Sequence, residues 1–283
     1  MSELPTYGSA YAKILFSRKK GGEVGHIEES VQGVRIDRSH LRAFLKVAGA
    51  VDDGRMPPTY PHVLIGALHA RLISRDDFPH PALGLVHVAN KIRVIEPMKL
   101  DDSWDVTVRI DGQREANKGI EFDLITEFTR DGVLVWDQIT TVLRPGKKLG
   151  SSSKPSGNMR ESGVHTRSST IFASEDIGRK YASVSGDYNP IHLHASVAKL
   201  FGFKRAIATG MWTVARVAAE LDTDMPDSGY ILDVSFKRPV FLPSRVVFEA
   251  NTQAKQTQWR VLSTNGKTLH MTGSVLSLDS ENR

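Results

Sequence analysis

Two halves of this chain carry one pattern. Val88, Lys91, Val94 and Pro97 recur as Val234, Lys237, Val240 and Pro243, all at an offset of 146 without a gap. Upstream, Phe44, Val47 and Gly49 echo Tyr181, Val184 and Gly186 at an offset of 137. Matches that keep their order are the mark of duplication, and duplication restricts the fold to one unit built twice. Each half has an apolar helical run (60–73 and 210–221) followed by segments patterned as strands. Strands are expected at 85–95, 104–110, 121–129 and 133–143, then at 230–241, 245–254, 258–264 and 268–278. Asp131-Gly132 and Asn265-Gly266 stand as hairpin turns near the end of each half. The run from Met211 to Leu221 is apolar almost all round, which suits a central buried helix. The expected class is α+β, an antiparallel sheet wrapped around a helix, present twice.

Residues 144–167 are rich in Gly, Ser, Pro and Lys, with almost nothing to bury, a composition that reads as a flexible linker. The expected division is a first module at 1–143, the linker at 144–167 and a second module at 168–283.

At 283 residues, 40% hydrophobic and 24% charged, the chain has room for two modest domains. It has no cysteine, so disulfides, thiolate metal sites and cysteine nucleophiles are excluded. No apolar run reaches the about 18 residues of a membrane span, and the N-terminus lacks a leader pattern, so a cytoplasmic protein is expected. The net charge of +5 is spread along the chain, and no nucleic-acid-binding signature accompanies it. Attraction of a polyanionic acyl carrier is the economical functional use of that charge; a solvated surface is the plain alternative.

The densest chemistry lies at 181–192, Tyr-Ala-Ser-Val-Ser-Gly-Asp-Tyr-Asn-Pro-Ile-His. Asn189-Pro190 forbids a continuous helix, so the chain bends and Asp187 and His192 can aim at one spot. A carboxylate beside an imidazole suits general acid–base work near neutral pH. Farther on, Ala-Thr-Gly-Met at 208–211 opens the apolar helix, and a glycine there offers its N–H to a developing oxyanion.

The string Ser-Gly-Asp-x-Asn-Pro-Ile-His, then Ala198, Gly202 and Phe203, then Gly210-Met211, resembles the hydratase motif of MaoC-like enzymes. These are (R)-specific enoyl-CoA hydratases and 3-hydroxyacyl-thioester dehydratases. The resemblance covers 165–245 closely and the rest of the chain, as a two-module type, more loosely. It implies a double hot-dog fold with the modules paired sheet to sheet as a pseudo-dimer. It implies Asp187 and His192 as the catalytic pair, Asn189 as their orienting residue and the Gly210 amide as the thioester-oxygen donor. It also implies no cofactor and an acyl-CoA or acyl-carrier-protein substrate; a homodimer is compatible with it. His194 departs from the family, where many members carry aspartate. Hot-dog thioesterases and a non-catalytic acyl-thioester-binding subunit are the alternatives.

Aligned with the second half, the first places Ala50 at Asp187 and Tyr60 at Gly210 and lacks the Asn-Pro-Ile-His turn. One active site per chain is expected, with the first module holding the acyl chain. Lys204, Arg205, Lys237 and Arg238 are weaker candidates for contacts to carrier phosphates. Neither Ser183 nor Ser185 has a base paired to it, and His192-x-His194 alone is thin evidence of a metal, so no metal is assigned. His62, His69, His80 and His87 fall in the half without the motif and are assigned no chemistry.

Overall fold

The computed structural model describes residues 19, 21–146, 167–222 and 225–278. In the first half, β1 (Ile27–Val34) leads to α1 (Arg38–Ala48), α2 (Tyr60–Leu64) and α3 (Gly66–Ser74). Four strands follow: β2 (Val86–Val94), β3 (Trp104–Ala116), β4 (Gly119–Arg130) and β5 (Val133–Pro145). In the second, β6 (Arg167–Ala173) leads to α4 (Ile177–Ser185), α5 (Pro190–Leu193), α6 (Ala195–Leu200) and α7 (Gly210–Leu221). Strands β7 (Tyr230–Phe236), β8 (Ser244–Gln253), β9 (Gln256–Ser263) and β10 (Leu269–Ser277) complete it.

All ten strands join one antiparallel sheet, ordered β1-β3-β4-β5-β2-β7-β10-β9-β8-β6. The order is the same in both halves when read outward from the centre. Ala89 and Ser235, equivalent at the offset of 146, pair with each other where β2 meets β7. An approximate two-fold axis therefore passes between them, as in a self-complementary dimer interface.

The matching signals at 44–49 and 181–186 become α1 and α4, which pack together. Each ends on a left-handed glycine, Gly49 at φ 63° and Gly186 at φ 70°. Helix α7 buries Met211, Trp212, Val214, Ala215, Val217 and Leu221, as its composition requires. Its Trp212 indole N–H donates to the Val47 carbonyl at 3.1 Å, fastening the second half's central helix to the first half. Trp104, Trp136, Trp212 and Trp259, two from each half, are fully buried.

Several elements differ from expectation. The run at 60–73 is two helices, broken at Ile65 just before Gly66, a poor helix former. Strand β7 stops at Phe236 rather than 241, because Pro239 and Pro243 cannot donate to a ladder. Asp131 (φ 53°) and Gly132 (φ 79°) form a tight hairpin turn, but Asn265-Gly266 lies in the longer loop 264–268. Strands β1 and β6, at the two sheet edges, are additional. The outer ends of the expected linker are strand, since β5 runs to Pro145 and β6 opens at Arg167; positions 147–166 lie outside the described residues.

Candidate functional site

Gly186 turns the chain out of α4 and delivers Asp187 beyond its C-terminus. The Asn189 backbone N–H then donates to Asp187 Oδ1 at 3.2 Å, and the Asn189 side-chain oxygen accepts the Ile191 N–H at 3.4 Å. Asn189 thus caps α5 while holding the carboxylate, and Pro190 sits at the first helical position, where its missing N–H costs nothing. Two residues later stands His192. Its Nε2 lies 3.9 Å from Asp187 Oδ2, with the His192 side chain 11% exposed and that of Asp187 35%.

The other ring nitrogen fixes the tautomer. His192 Nδ1–H donates to the Ile207 carbonyl at 2.9 Å, which leaves Nε2 as the nitrogen on the Asp187 side that can take up or give a proton. Ile207 is itself held: it bridges Phe241, the Ala208 N–H donates to Val240, and the Leu242 N–H donates to Ala206. This short ladder ties the segment before α7 to the segment after β7. Gly178 allows the closest approach, since a Cβ there would stand 1.9 Å from the His192 carbonyl oxygen.

Three residues beyond Ile207, Gly210 opens α7 behind Thr209, which makes no side-chain cap. The Gly210 N–H has no acceptor among the described residues and lies at the positive end of a buried helix. A Cβ on Gly210 would meet Phe236 Cε1 at 2.8 Å. The glycine therefore serves packing as well as presenting its amide. Asp187, Asn189 and His192 are in one constellation, and the Ile207 segment joins it to Gly210.

Lys204, Arg205, Lys237 and Arg238 are exposed. Arg205 lies over the Phe241 ring and donates to the Pro243 carbonyl at 3.3 Å, whereas the Lys237 and Arg238 N–H groups donate to the His270 carbonyl, so the antiparallel ladder at 207 and 241 sets the two basic pairs at its opposite ends. Among the described residues, no group of three or more His, Cys, Asp or Glu could hold a metal.

A cavity of about 520 Å³ lies between the halves, lined by Phe44, Met56, Met98 and Trp136 from the first and by Ala215 and Ala219 from α7. Gly49 and Ala50, counterparts of Gly186 and Asp187, also line it; Asp187, Asn189, His192 and Gly210 do not. It occupies the place where the first half lacks the turn.

Residues 157–273 match the family model of the MaoC like domain. Over 215 residues the chain is 32% identical to 3-hydroxyacyl-thioester dehydratase X of Mycobacterium tuberculosis, covering 76% of each. Over 125 residues it is 29% identical to the (R)-specific enoyl-CoA hydratase of Aeromonas caviae, covering 41% of this chain and 92% of that enzyme. The crystal structure of HtdX of M. tuberculosis matches with a TM-score of 0.77 at 29% identity, over 89% of this chain and 100% of that one.

Proposed function

This chain belongs to the MaoC-like hydratase and dehydratase family with its double hot-dog fold, and from that premise we propose that it interconverts (R)-3-hydroxyacyl and trans-2-enoyl thioesters. It is a hydro-lyase of fatty-acid metabolism. The observation that carries the reading is the pairing of Asp187 with a His192 whose tautomer is set by the Ile207 carbonyl, at the mouth of the Gly210 helix.

The difficulty of the reaction is a weakly acidic C2 proton and a poor hydroxide leaving group. The Gly210 N–H takes the thioester oxygen and stabilises enolate-like charge as C2–H breaks, aided by the α7 dipole. The Asp187–His192 pair accepts the C2 proton and returns one to the C3 hydroxyl. The C3–O bond then breaks, water leaves, and the C2–C3 double bond forms. Proton count in the pair is unchanged over the cycle, so no cofactor takes part in this scheme. Asn189 serves as the orienting residue through its bond to Asp187.

The cavity between the halves would take the distal acyl chain along its apolar residues, and the exposed basic pairs would meet coenzyme A or the phosphopantetheine arm of a carrier protein. Much of the remaining basic charge is neutralised on the protein itself, as in Arg109–Glu127 and Arg114–Asp123. The thioesterase alternative lacks a suitable acid on the central helix. Glu220 there is held by Arg216 at 2.7 Å and by Ser169 at 2.8 Å. Among the described residues, no helix is long and apolar enough to cross a membrane, and the proposed setting is the cytoplasm.

Purified protein mixed with (R)-3-hydroxyacyl thioesters should produce the conjugated enoyl absorbance without releasing free thiol. Thiol release without enoyl formation would replace this reading with hydrolysis.

A further inference from the structure

The half that lacks the catalytic motif has an unusual interior. Asn90, Thr126, Gln138 and Thr140 are all buried on its sheet. The offset of 146 makes Asn90 the counterpart of Phe236; the residues paired beside them are Thr140 in the first half and Met271 in the second. One half therefore places hydrogen-bonding groups where the other is apolar. Such groups are costly to bury unless each is satisfied.

They are satisfied in a directed chain that ends on a histidine. Gln138 Nε2 donates to Asn90 Oδ1 at 2.9 Å, and Asn90 Nδ2 donates onward to Thr140 Oγ1 at 3.2 Å and to His87 Nε2 at 3.2 Å. With its amide so oriented, Gln138 presents Oε1 to His62 Nδ1 at 2.9 Å, so this nitrogen carries the proton. His62 Nε2 is then an acceptor, and no partner meets it among the described residues. Burial keeps the ring neutral by lowering its pKa, although the Asp187 carboxylate pulls the other way.

Helix α2, which carries His62, packs against α4, whose end delivers Asp187. A second path leads to the same place. His62 stacks with His87 at 6.4 Å between ring centroids, His87 contacts Phe236 at 4.7 Å, and Phe236 rests against Gly210. The histidine cluster of the silent half thus lies beside α4 and, through Phe236, beside Gly210.

We propose that His62 is a further residue of this site, supplied by the first half, whose Nε2 accepts a hydrogen bond from the bound thioester. The inference rests on the reading of this chain as a hydroxyacyl-thioester enzyme. A neutral acceptor requires a donor on the ligand. Two are available: the C3 hydroxyl of the acyl group, and an amide N–H or hydroxyl of the pantetheine arm.

The test uses the full-length chain carrying Asp187→Asn, in which turnover is slowed while ligands bind. Calorimetry compares an (R)-3-hydroxyacyl-CoA with the saturated acyl-CoA of equal length, with and without His62→Phe. Loss of one hydrogen bond should weaken binding about threefold to tenfold. A loss confined to the hydroxyacyl ligand identifies the C3 hydroxyl as the donor; an equal loss for both places it on the pantetheine arm. Unchanged affinity for both ligands overturns the proposal. Circular dichroism checks folding, and if His62→Phe does not fold, His62→Asn, whose amide can donate toward Gln138 in place of Nδ1 but does not reach the position of Nε2, is judged on the same affinities. Failure of the parent protein to eliminate water from any hydroxyacyl thioester would sink the assigned reaction, a result separate from these affinities.

Discussion

Replacing Gly178 with alanine should silence the enzyme without touching any group that meets substrate. The added Cβ would stand 1.9 Å from the His192 carbonyl oxygen and 2.8 Å from its carbon, both backbone atoms. Ordinary contact begins at 3.4 Å, so α4 and α5 must separate by about 1.5 Å at that point. His192 has little slack to absorb this, because its ring is tied to Ile207 at 2.9 Å and faces Asp187 at 3.9 Å. A misplacement of about 1 Å in a catalytic group can lower the rate about a hundredfold. Overpacking of this kind costs about 1–3 kcal/mol of stability, which a chain of this size can survive. Gly25→Ala is the control, since nothing lies within 4 Å of a Cβ there. Initial rates of enoyl formation should fall at least about a hundredfold for Gly178→Ala, with circular dichroism unchanged, and stay at the parent value for Gly25→Ala. A folded Gly178→Ala protein with parent turnover would refute the argument that this approach sets the position of His192.

Ala219→Phe should fill part of the cavity and lower kcat/KM for long acyl chains while sparing the shortest; equal loss at every length would show that the cavity does not hold the chain. Charge reversal by Lys204→Glu with Arg205→Glu should raise KM, with kcat unchanged and the effect shrinking as salt is added; an unaltered KM would remove this edge from carrier binding. Burial pushes the His87 pKa down to about 3 and also lowers those of His62 and His69. These rings stay neutral in the fold but protonate in the unfolded chain below about pH 6.5. Stability should therefore be intact above that pH and fall as acid is added toward about pH 3, by about 1.4 kcal/mol per pH unit for each fully depressed ring. Urea midpoints should drop on acidification in the parent and drop less in His87→Phe; identical slopes would contradict this.

The duplication was legible because it survives in residues whose spacing is fixed by the sheet. The offset of 146 matches the register in which Ala89 meets Ser235, so the repeat in sequence and the dyad in structure are one fact. The turn at Asn189-Pro190 was equally readable, since proline chemistry is local. Strand β1, with Glu28, Glu29 and Gln32, was hidden because an edge strand exposes polar residues and blurs alternation. What sequence could not convey is contact across the dyad. Gln138 and Asn90 look like solvent-facing strand positions until the helices above them are placed. His62 and His87 seemed irrelevant because they belong to the half without the motif. Ile207 contributes only a carbonyl, and Gly178 only an absence of atoms, so neither leaves a signature in residue type.

The central assignment is tested most directly by single-turnover elimination from an (R)-3-hydroxyacyl thioester in Asp187→Asn and in His192→Gln. Each variant should fold, bind the thioester and form enoyl product at least about a hundredfold more slowly than the parent. Parent rates in both folded variants would contradict the assignment and move the chemistry elsewhere in the chain.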